Sequence, residues 1–221
     1  MEALTFPLLL GLPLVSIIAL GLLHQRPQGR AWVFMILTLL NGTVVALAPD
    51  IDSYAASGWH PPLGIELGLD ALTRFFLLIN ATVFTAAAAY HLGQEKSSSK
   101  SRRLTYQLAF PVLLLSLNGL FLTRDFFNFY VFFELLAIAS YLLVAMGKHH
   151  ALEAAWKYAV LSILASAMLL AGTAFLYGLS GSLNMSDVQA RLAPGSALWL
   201  APFFLFSFFL KGSIFPFHVW Q

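Results

Sequence analysis

Seven apolar runs, each about as long as a bilayer-spanning helix, follow one another along the 221-residue chain. A bilayer core takes about 20 consecutive apolar residues per helix. Lipid has no partners for unpaired backbone groups, so such runs fold as helices that pair their own backbone. The sequence therefore predicts an all-α polytopic membrane protein with about seven transmembrane helices. The runs cover residues 3–23, 31–49, 71–91, 104–122, 126–146, 152–177 and 197–219.

The composition agrees with a membrane location. Hydrophobic residues make up 59% of the chain and charged residues 10%, whereas about a quarter of a soluble domain is charged. A net charge of +2 on so apolar a chain does not indicate a nucleic-acid partner. The chain contains no cysteine, which excludes disulfides, thiol catalysis and cysteine-based metal sites. Because the sequence also lacks a nucleotide motif and a catalytic cluster, we expect neither an enzyme nor a bound cofactor.

The loops between the runs alternate in charge. Basic residues dominate the first loop at Arg26, the third loop at 96–103 and the fifth loop at Lys148, while the second loop carries its carboxylates between 50 and 70. By the positive-inside rule, the basic loops are cytoplasmic and the N-terminus lies outside. We expect the chain to lie in the cell inner (plasma) membrane. The first run starts at Ala3 without the basic segment of a signal peptide, so we expect it to be a retained helix.

The external segment 63–72, LGIELGLDAL, is the one place where the sequence suggests extended structure. It alternates weakly between aliphatic residues and glycine or charge. This pattern is typical of a short strand or hairpin before the third run. An irregular loop is the alternative.

Glu134 is a carboxylate at membrane depth. It lies eight residues after Phe126 opens the fifth run, which corresponds to roughly 12 Å along a helix. An unpaired charge at that depth is unfavourable by several kcal/mol, so the group must be protonated, paired or in contact with water. Each of these conditions suits a proton carrier. A neutral glutamate bonded to a neighbouring helix is the alternative.

Lys211 lies in the last run and is followed by Gly212 and Pro216. Proline cannot donate to the helix ladder and glycine loosens it, so the sequence predicts a discontinuous helix at a buried ammonium, as in transporter sites. A nearby carboxylate stabilises such an ammonium, and we therefore expect Glu134 and Lys211 to bind protons as a coupled pair. A static ion pair that joins two helices is the alternative.

Two further groups are candidates for proton transfer. Lys157 lies five residues into the sixth run, with Glu153 one turn before it. It is either an anchor that reaches the membrane surface or a second relay group. His218 follows the broken segment, and a histidine there can pass protons between water and the buried lysine; a capping or core histidine is the alternative.

Four motifs, in chain order, carry a family resemblance: LGLDALTRFF, LTRDFFNFYVFFELLAIASYLLVA, EAAWKYAVLSILASAMLLAGTAFLYGLSGSLNMSDV and LKGSIFPFHVWQ. They resemble the antiporter-like membrane subunits of respiratory complex I, membrane-bound hydrogenases and Mrp-type cation/proton antiporters, above all the Mrp D-type subunit. The resemblance implies a Glu–Lys site formed by the fifth helix and a discontinuous seventh helix. Glu134 and Lys211 match these positions, and Lys157 matches a sixth-helix lysine.

The resemblance also implies how the chain is organised. Similar family members have about fourteen helices in two inverted repeats and continue past the H-x-W segment into a helix with a central lysine, whereas this sequence ends at Gln221. We therefore expect residues 1–91 to form an N-terminal three-helix segment and residues 104–221 to form a first, incomplete repeat.

Two functions follow from these features. The first is a proton- and cation-translocating subunit of a multisubunit Na⁺ or K⁺/H⁺ antiporter, with the Glu134–Lys211 pair in the relay. The second is a structural or assembly subunit of a complex I-like or hydrogenase-like membrane complex, in which the buried charges hold helices together. Both predict other membrane subunits and the lipid bilayer as partners.

Overall fold

The computed structural model describes residues 2–23, 27–94, 100–147, 150–193 and 195–217. Each of the seven apolar runs forms a helix in these ranges, and a short amphipathic helix, α7, lies between the sixth and the last run. The helices are α1 (Glu2–Leu22), α2 (Pro27–Leu47), α3 (Ala71–Gln94), α4 (Lys100–Leu122), α5 (Phe126–Ala145), α6 (Ala151–Ser180), α7 (Met185–Arg191) and α8 (Ser196–Lys211).

Five of the described helices are long and apolar enough to cross a membrane, namely α1, α2, α3, α5 and α6. Two shorter apolar stretches, Leu108–Leu122 in α4 and Leu198–Lys211 in α8, account for the other two runs. The predicted helical membrane fold is confirmed. The count of seven spans stays a prediction.

The predicted extended segment 63–72 contains one strand of a hairpin. Strand β1 (Ile51–Ala55) pairs with strand β2 (Glu66–Leu69), and a 3-10 turn at Ala56–Gly58 follows β1. The alternation of LGIEL and GLDAL therefore indicated a real strand rather than an irregular loop.

The last helix ends where glycine and proline predicted a break. α8 stops at Lys211, and turns follow through residue 217. Because Pro216 has no N–H, it cannot continue the ladder back to the Gly212 carbonyl. The bonding also departs from the α-helical pattern before this proline. The Ile214 N–H bonds the Phe209 carbonyl at 2.9 Å, and this spacing of five residues is one more than in an α-helix.

The chain divides into two compact units: residues up to 52 with 68–122, and residues 53–67 with 123 onwards. The first unit contains α1 to α4, so α4 packs with the first three helices rather than with the rest of the predicted repeat 104–221. The predicted division into 1–91 and 104–221 concerns the origin of the repeats and stays a prediction.

A buried amide network holds the first unit together. Pro13 lies inside α1 and has no N–H, so the Leu9 carbonyl lacks its usual helical donor. The side chains of Asn41 on α2 and Asn118 on α4 donate to that carbonyl at 3.2 and 2.9 Å. Asn118 also donates to Asn41 at 3.2 Å and accepts from Asn80 on α3 at 2.9 Å. Neighbouring helices thus satisfy the carbonyl that this proline frees, as lipid-embedded helices require.

In the second unit, the start of α5 is tied to the hairpin and to the segment before α7. The Arg124 N–H donates to the Glu66 carbonyl at 2.8 Å, and the Met185 N–H donates to the Arg124 carbonyl at 2.9 Å. The Glu66 carboxylate accepts from the Ser53 hydroxyl and from the Asn184 side-chain amide. These bonds fix the N-terminal end of α5, the helix that carries Glu134.

Asp125 caps α5 and is 7% exposed. Its carboxylate accepts from the Asn128 N–H at 2.7 Å. Burial raises the pKa of this carboxyl above its usual 3.8, against smaller opposite effects of the Asn128 and Phe127 N–H groups. The folded state thus binds the proton more tightly than the unfolded chain does. The stabilisation that this proton gives is present in full below the pKa of Asp125 in the unfolded chain. It is lost as the pH rises through the pKa of Asp125 in the folded state.

The raised pKa of Asp125 leads to a testable prediction. Asp125→Asn keeps a cap acceptor without the charge, so near neutral pH we expect it to be at least as stable as the wild type and to lose that part of the pH dependence. Asp125→Ala removes the cap as well as the charge and is expected to be less stable than Asp125→Asn by about 1 kcal/mol at every pH. Thermal unfolding of the purified protein at acidic and neutral pH measures both. Greater stability of the wild type than of Asp125→Asn near neutral pH would contradict the expectation.

Candidate functional site

Helix α6 is the element on which the candidate site is built, because it packs against both α5 and α8. At Gly172 of α6 an added Cβ would lie 2.9 Å from the Phe203 Cβ of α8, which is closer than such atoms pack. The glycine therefore permits the close approach of the two helices. Nearer the other end of this contact, α8 ends at Lys211 opposite Ser162 of α6.

Two serines of α6 contact the two buried charges. The Ser166 hydroxyl donates to Oε2 of Glu134 at 2.5 Å, and Nζ of Lys211 donates to the Ser162 hydroxyl at 3.0 Å. Ser162 and Ser166 are each 2% exposed. They are four residues apart and so lie on one face of α6. The structure thus brings Glu134 and Lys211 to the same helix face.

Glu134 and Lys211 are half-buried and do not contact each other directly. Within the described ranges no ion pair of 4.0 Å or less joins them. Two aromatic rings complete the surroundings of the ammonium, with Nζ of Lys211 lying 5.2 Å from the ring centre of Phe133 and 5.4 Å from that of Tyr158. Such ring faces attract a cation, so two rings and the Ser162 hydroxyl, rather than a contact ion pair, surround the Lys211 ammonium.

Lys157 lies on a different side of α6. Its Nζ donates to Oε1 of Glu153 at 2.7 Å, and both side chains are exposed, by 61% and 59%. Lys157 is five residues before Ser162, which corresponds to about 140° around the helix. The predicted partner, Glu153, is thus its observed partner, and neither residue joins the serine face. Whether Lys157 is an anchor or a relay group stays a prediction.

His218 lies outside the described residues, which reach 217 in this part of the chain. Its predicted role in proton exchange therefore stays a prediction. Among the described residues, no group of three or more His, Asp or Glu side chains is placed to hold a metal ion.

Sequence reasoning missed Ser162, Ser166 and the rings of Phe133 and Tyr158. A signal was present, because two serines four residues apart in an otherwise apolar run put two hydroxyls on one face at membrane depth. Serines in membrane helices commonly bond their own backbone, as Ser140 does with the Leu136 carbonyl at 2.7 Å. Only the contacts between helices distinguish the two cases.

The C-terminal part of the chain matches a known family. The family model described as "NADH:quinone oxidoreductase/Mrp antiporter, TM" matches residues 123–221. This range contains Glu134, both serines and Lys211.

Two curated relatives and one solved structure are similar over most of the chain. The D-type Na(+)/H(+) antiporter subunit of Bacillus subtilis is 35% identical over 175 residues, which are 77% of this chain and 35% of that protein. The D-type Na(+)/H(+) antiporter subunit of Alkalihalophilus pseudofirmus is 32% identical over 203 residues, which are 90% and 41%. A chain of the membrane-bound sulfane sulfur reductase, an archaeal respiratory membrane complex, superposes with a TM-score of 0.88 at 29% identity, over 98% of this chain and 46% of that one.

The chain therefore spans less than half of the length of each of these proteins. The similarity nevertheless runs through both units, and the family model covers the site. The helical fold, the motifs around Glu134 and Lys211 and these relatives agree with one another. The chain belongs to the family of NADH:quinone oxidoreductase and Mrp antiporter membrane subunits.

Proposed function

We propose that this chain is a proton- and cation-translocating membrane subunit of a multisubunit Na⁺ or K⁺/H⁺ antiporter. The observation that carries the proposal is the arrangement of Glu134 and Lys211 on one face of α6, each held by a serine hydroxyl. The names of the Bacillus and Alkalihalophilus relatives support antiport as the activity. The proposed partners are further membrane subunits, the lipid bilayer, protons and Na⁺ or K⁺. The proposed location is the plasma membrane, with the N-terminus outside.

The proposed step depends on the separation of two opposite charges. At an effective dielectric constant of about 20, unit charges 4 Å apart attract by about 4 kcal/mol, and the attraction falls as they separate. The protonation of each group therefore depends on how close the other group is. When the pair tightens, Glu134 and Lys211 both keep their charges. When it loosens, Lys211 gives up its proton more readily and the proton moves on.

Two other residues have proposed roles around this step. His218 exchanges protons between water and Lys211. Lys157, paired with Glu153 on the exposed side of α6, either continues the relay toward a neighbouring subunit or anchors the helix at the membrane surface. Both roles rest on residue type and chain position.

Transport by the assembled complex tests the proposal. We expect Glu134→Gln and Lys211→Ala, each made in the complete subunit, to lower cation-dependent proton movement in membrane vesicles by at least about tenfold, because each removes a charge that changes its proton occupancy. Asp52→Asn, which neutralises an exposed carboxylate of β1, is the matched control and should transport normally. Normal transport by both site variants, at normal complex levels, would refute the proposal.

A scaffold role in a redox-driven complex is the second candidate. It is favoured by the similarity to a chain of the archaeal sulfane sulfur reductase, which is a respiratory complex. On this hypothesis the two charges hold helices together, and any redox chemistry belongs to partner subunits. The subunits that copurify with the chain from its native source distinguish an antiporter from a redox complex.

A further inference from the structure

Glu134 and Lys211 carry opposite charges but contact different serines rather than each other. Opposite charges in a membrane attract strongly, and no water-like solvent screens them. Each of the two side chains nevertheless ends on a different serine of α6. The two anchor points are four residues apart, which corresponds to about 6 Å along the helix axis.

Both serines are enclosed by the surrounding helices. Ser166 lies within 2.9 Å of the Ser162 backbone carbonyl as well as 2.5 Å from the Glu134 carboxylate. Its single proton can be donated to only one of these two acceptors at a time. Ser162 accepts from the Lys211 ammonium, which is flanked by the Phe133 and Tyr158 rings. Both serines are 2% exposed, so neither hydroxyl is free to turn to solvent.

We propose that Ser162 and Ser166 are positioning residues that keep Glu134 and Lys211 apart. Each hydroxyl occupies one charged group, and the spacing of the two hydroxyls on α6 sets the distance between the charges. The pair rests in a separated state, from which it can close only while both groups carry their charges. Without either hydroxyl, the released group moves to the opposite charge and forms a contact ion pair.

This inference rests on the proposed function for its transport readout but not for its structural readout. In the complete complex carrying Ser162→Ala, we expect the distance from Lys211 Nζ to the nearest Glu134 carboxylate oxygen, measured by cryo-electron microscopy, to fall to 4.0 Å or less. Ser166→Ala is a second route to the same result, because it releases Glu134 instead. We expect transport to drop roughly tenfold or more in both, since a hydrogen bond to a charged group is lost and the pair stays closed.

Two comparison variants separate positioning from a general packing effect. Ser162→Thr keeps a hydroxyl at the same place and should keep both the separated pair and transport. Thr173→Val removes a hydroxyl from the same helix, where it donates to the Leu169 carbonyl at 2.8 Å and is equally buried at 2%. It lies seven residues after Ser166, close to the same face, and is expected to leave both readouts unchanged.

A separated pair in both alanine variants would overturn the inference, as would a closed pair in Thr173→Val. A closed pair with normal transport would support the positioning role and count against the relay itself. Failure of the inference and failure of the proposed function therefore give different results.

Discussion

Exchanging the two charges, by Glu134→Lys together with Lys211→Glu in one chain, is expected to restore the assembled complex without restoring transport. Each single exchange places two like charges in the site, which is strongly unfavourable in a medium of low dielectric constant. We therefore expect each single variant to lower the amount of intact complex several-fold. The double variant restores one charge of each sign, and the hydroxyls of Ser162 and Ser166 can donate to a carboxylate or accept from an ammonium.

Transport should not return, because the surroundings of the two positions differ. The faces of Phe133 and Tyr158 lie 5.2 and 5.4 Å from the Lys211 ammonium. Aromatic faces attract a cation and disfavour an anion. A carboxylate at position 211 would thus be held less well, and the two groups would stand in reversed order along any proton path. We expect transport below about a tenth of wild type, by comparison with the factor that one general acid or base contributes.

This experiment separates the two candidate functions. If the charges only hold helices together, the double exchange should recover both assembly and full activity. Complex levels and cation-dependent proton movement, measured in the same vesicles, give the answer. Full transport by the doubly exchanged complex would rule out the relay, whereas assembly without transport would rule out the scaffold.

Replacing Asn118 by leucine is expected to weaken the first unit more than any other single change to its polar groups. Asn118 donates to the Leu9 carbonyl and to Asn41, and accepts from Asn80. It is fully buried at 0% exposure. Hydrogen bonds between membrane helices contribute about 0.6 kcal/mol each on average and up to about 1.7. The loss of three, with Asn80 left unpaired, should lower the free energy of unfolding by roughly 2 to 3 kcal/mol.

The measurement can use a single introduced thiol, because the chain has no cysteine of its own. Ala88→Cys places the thiol in the core of the first unit, where the residue is 0% exposed. Its labelling rate in detergent reports how often the unit opens. Ser116→Ala is the matched control, since its buried hydroxyl on α4 donates to the Val112 carbonyl of the same helix at 2.6 Å. We expect this control to change the labelling rate little.

A double-mutant cycle tests the cause. Pro13→Ala supplies an N–H for the Leu9 carbonyl, so the cost of Asn118→Leu should be smaller in that background. An equal cost in both backgrounds would show that Asn118 does not act through the carbonyl freed by the proline.

The positions of the helices and of the two charges could be read from the sequence. A run of about 20 apolar residues must be a helix in lipid, whatever surrounds it, and all seven runs are helical. Glu134 and Lys211 stand out because a charge at membrane depth is too unfavourable to be incidental. The end of α8 at Lys211 follows from Gly212 and Pro216, which act on the local backbone.

The partners of those groups could not be read in the same way. Ser162, Ser166 and Ser140 look alike in the sequence, and both Ser166 and Ser140 lie within hydrogen-bond distance of their own helix backbone. Ser162 and Ser166 in addition contact charges on other helices. From the sequence, Lys157 is either an anchor at the membrane surface or a relay group, and the structure pairs it with Glu153 on the far side of α6. The grouping of α4 with α1 to α3 likewise depends on side chains from four helices.

The sequence by itself determined that this chain lies in the membrane, which segments form its long apolar helices, and which two charged residues are the leading candidates for the site. These properties depend on backbone hydrogen bonding and on transfer into lipid, which act on each segment separately. Only the tertiary structure decided that the two charges meet α6 through separate hydroxyls. That outcome depends on how closely α5 and α8 pack against α6, at distances of a few ångströms. Such distances between helices cannot be derived from the order of residues along one helix.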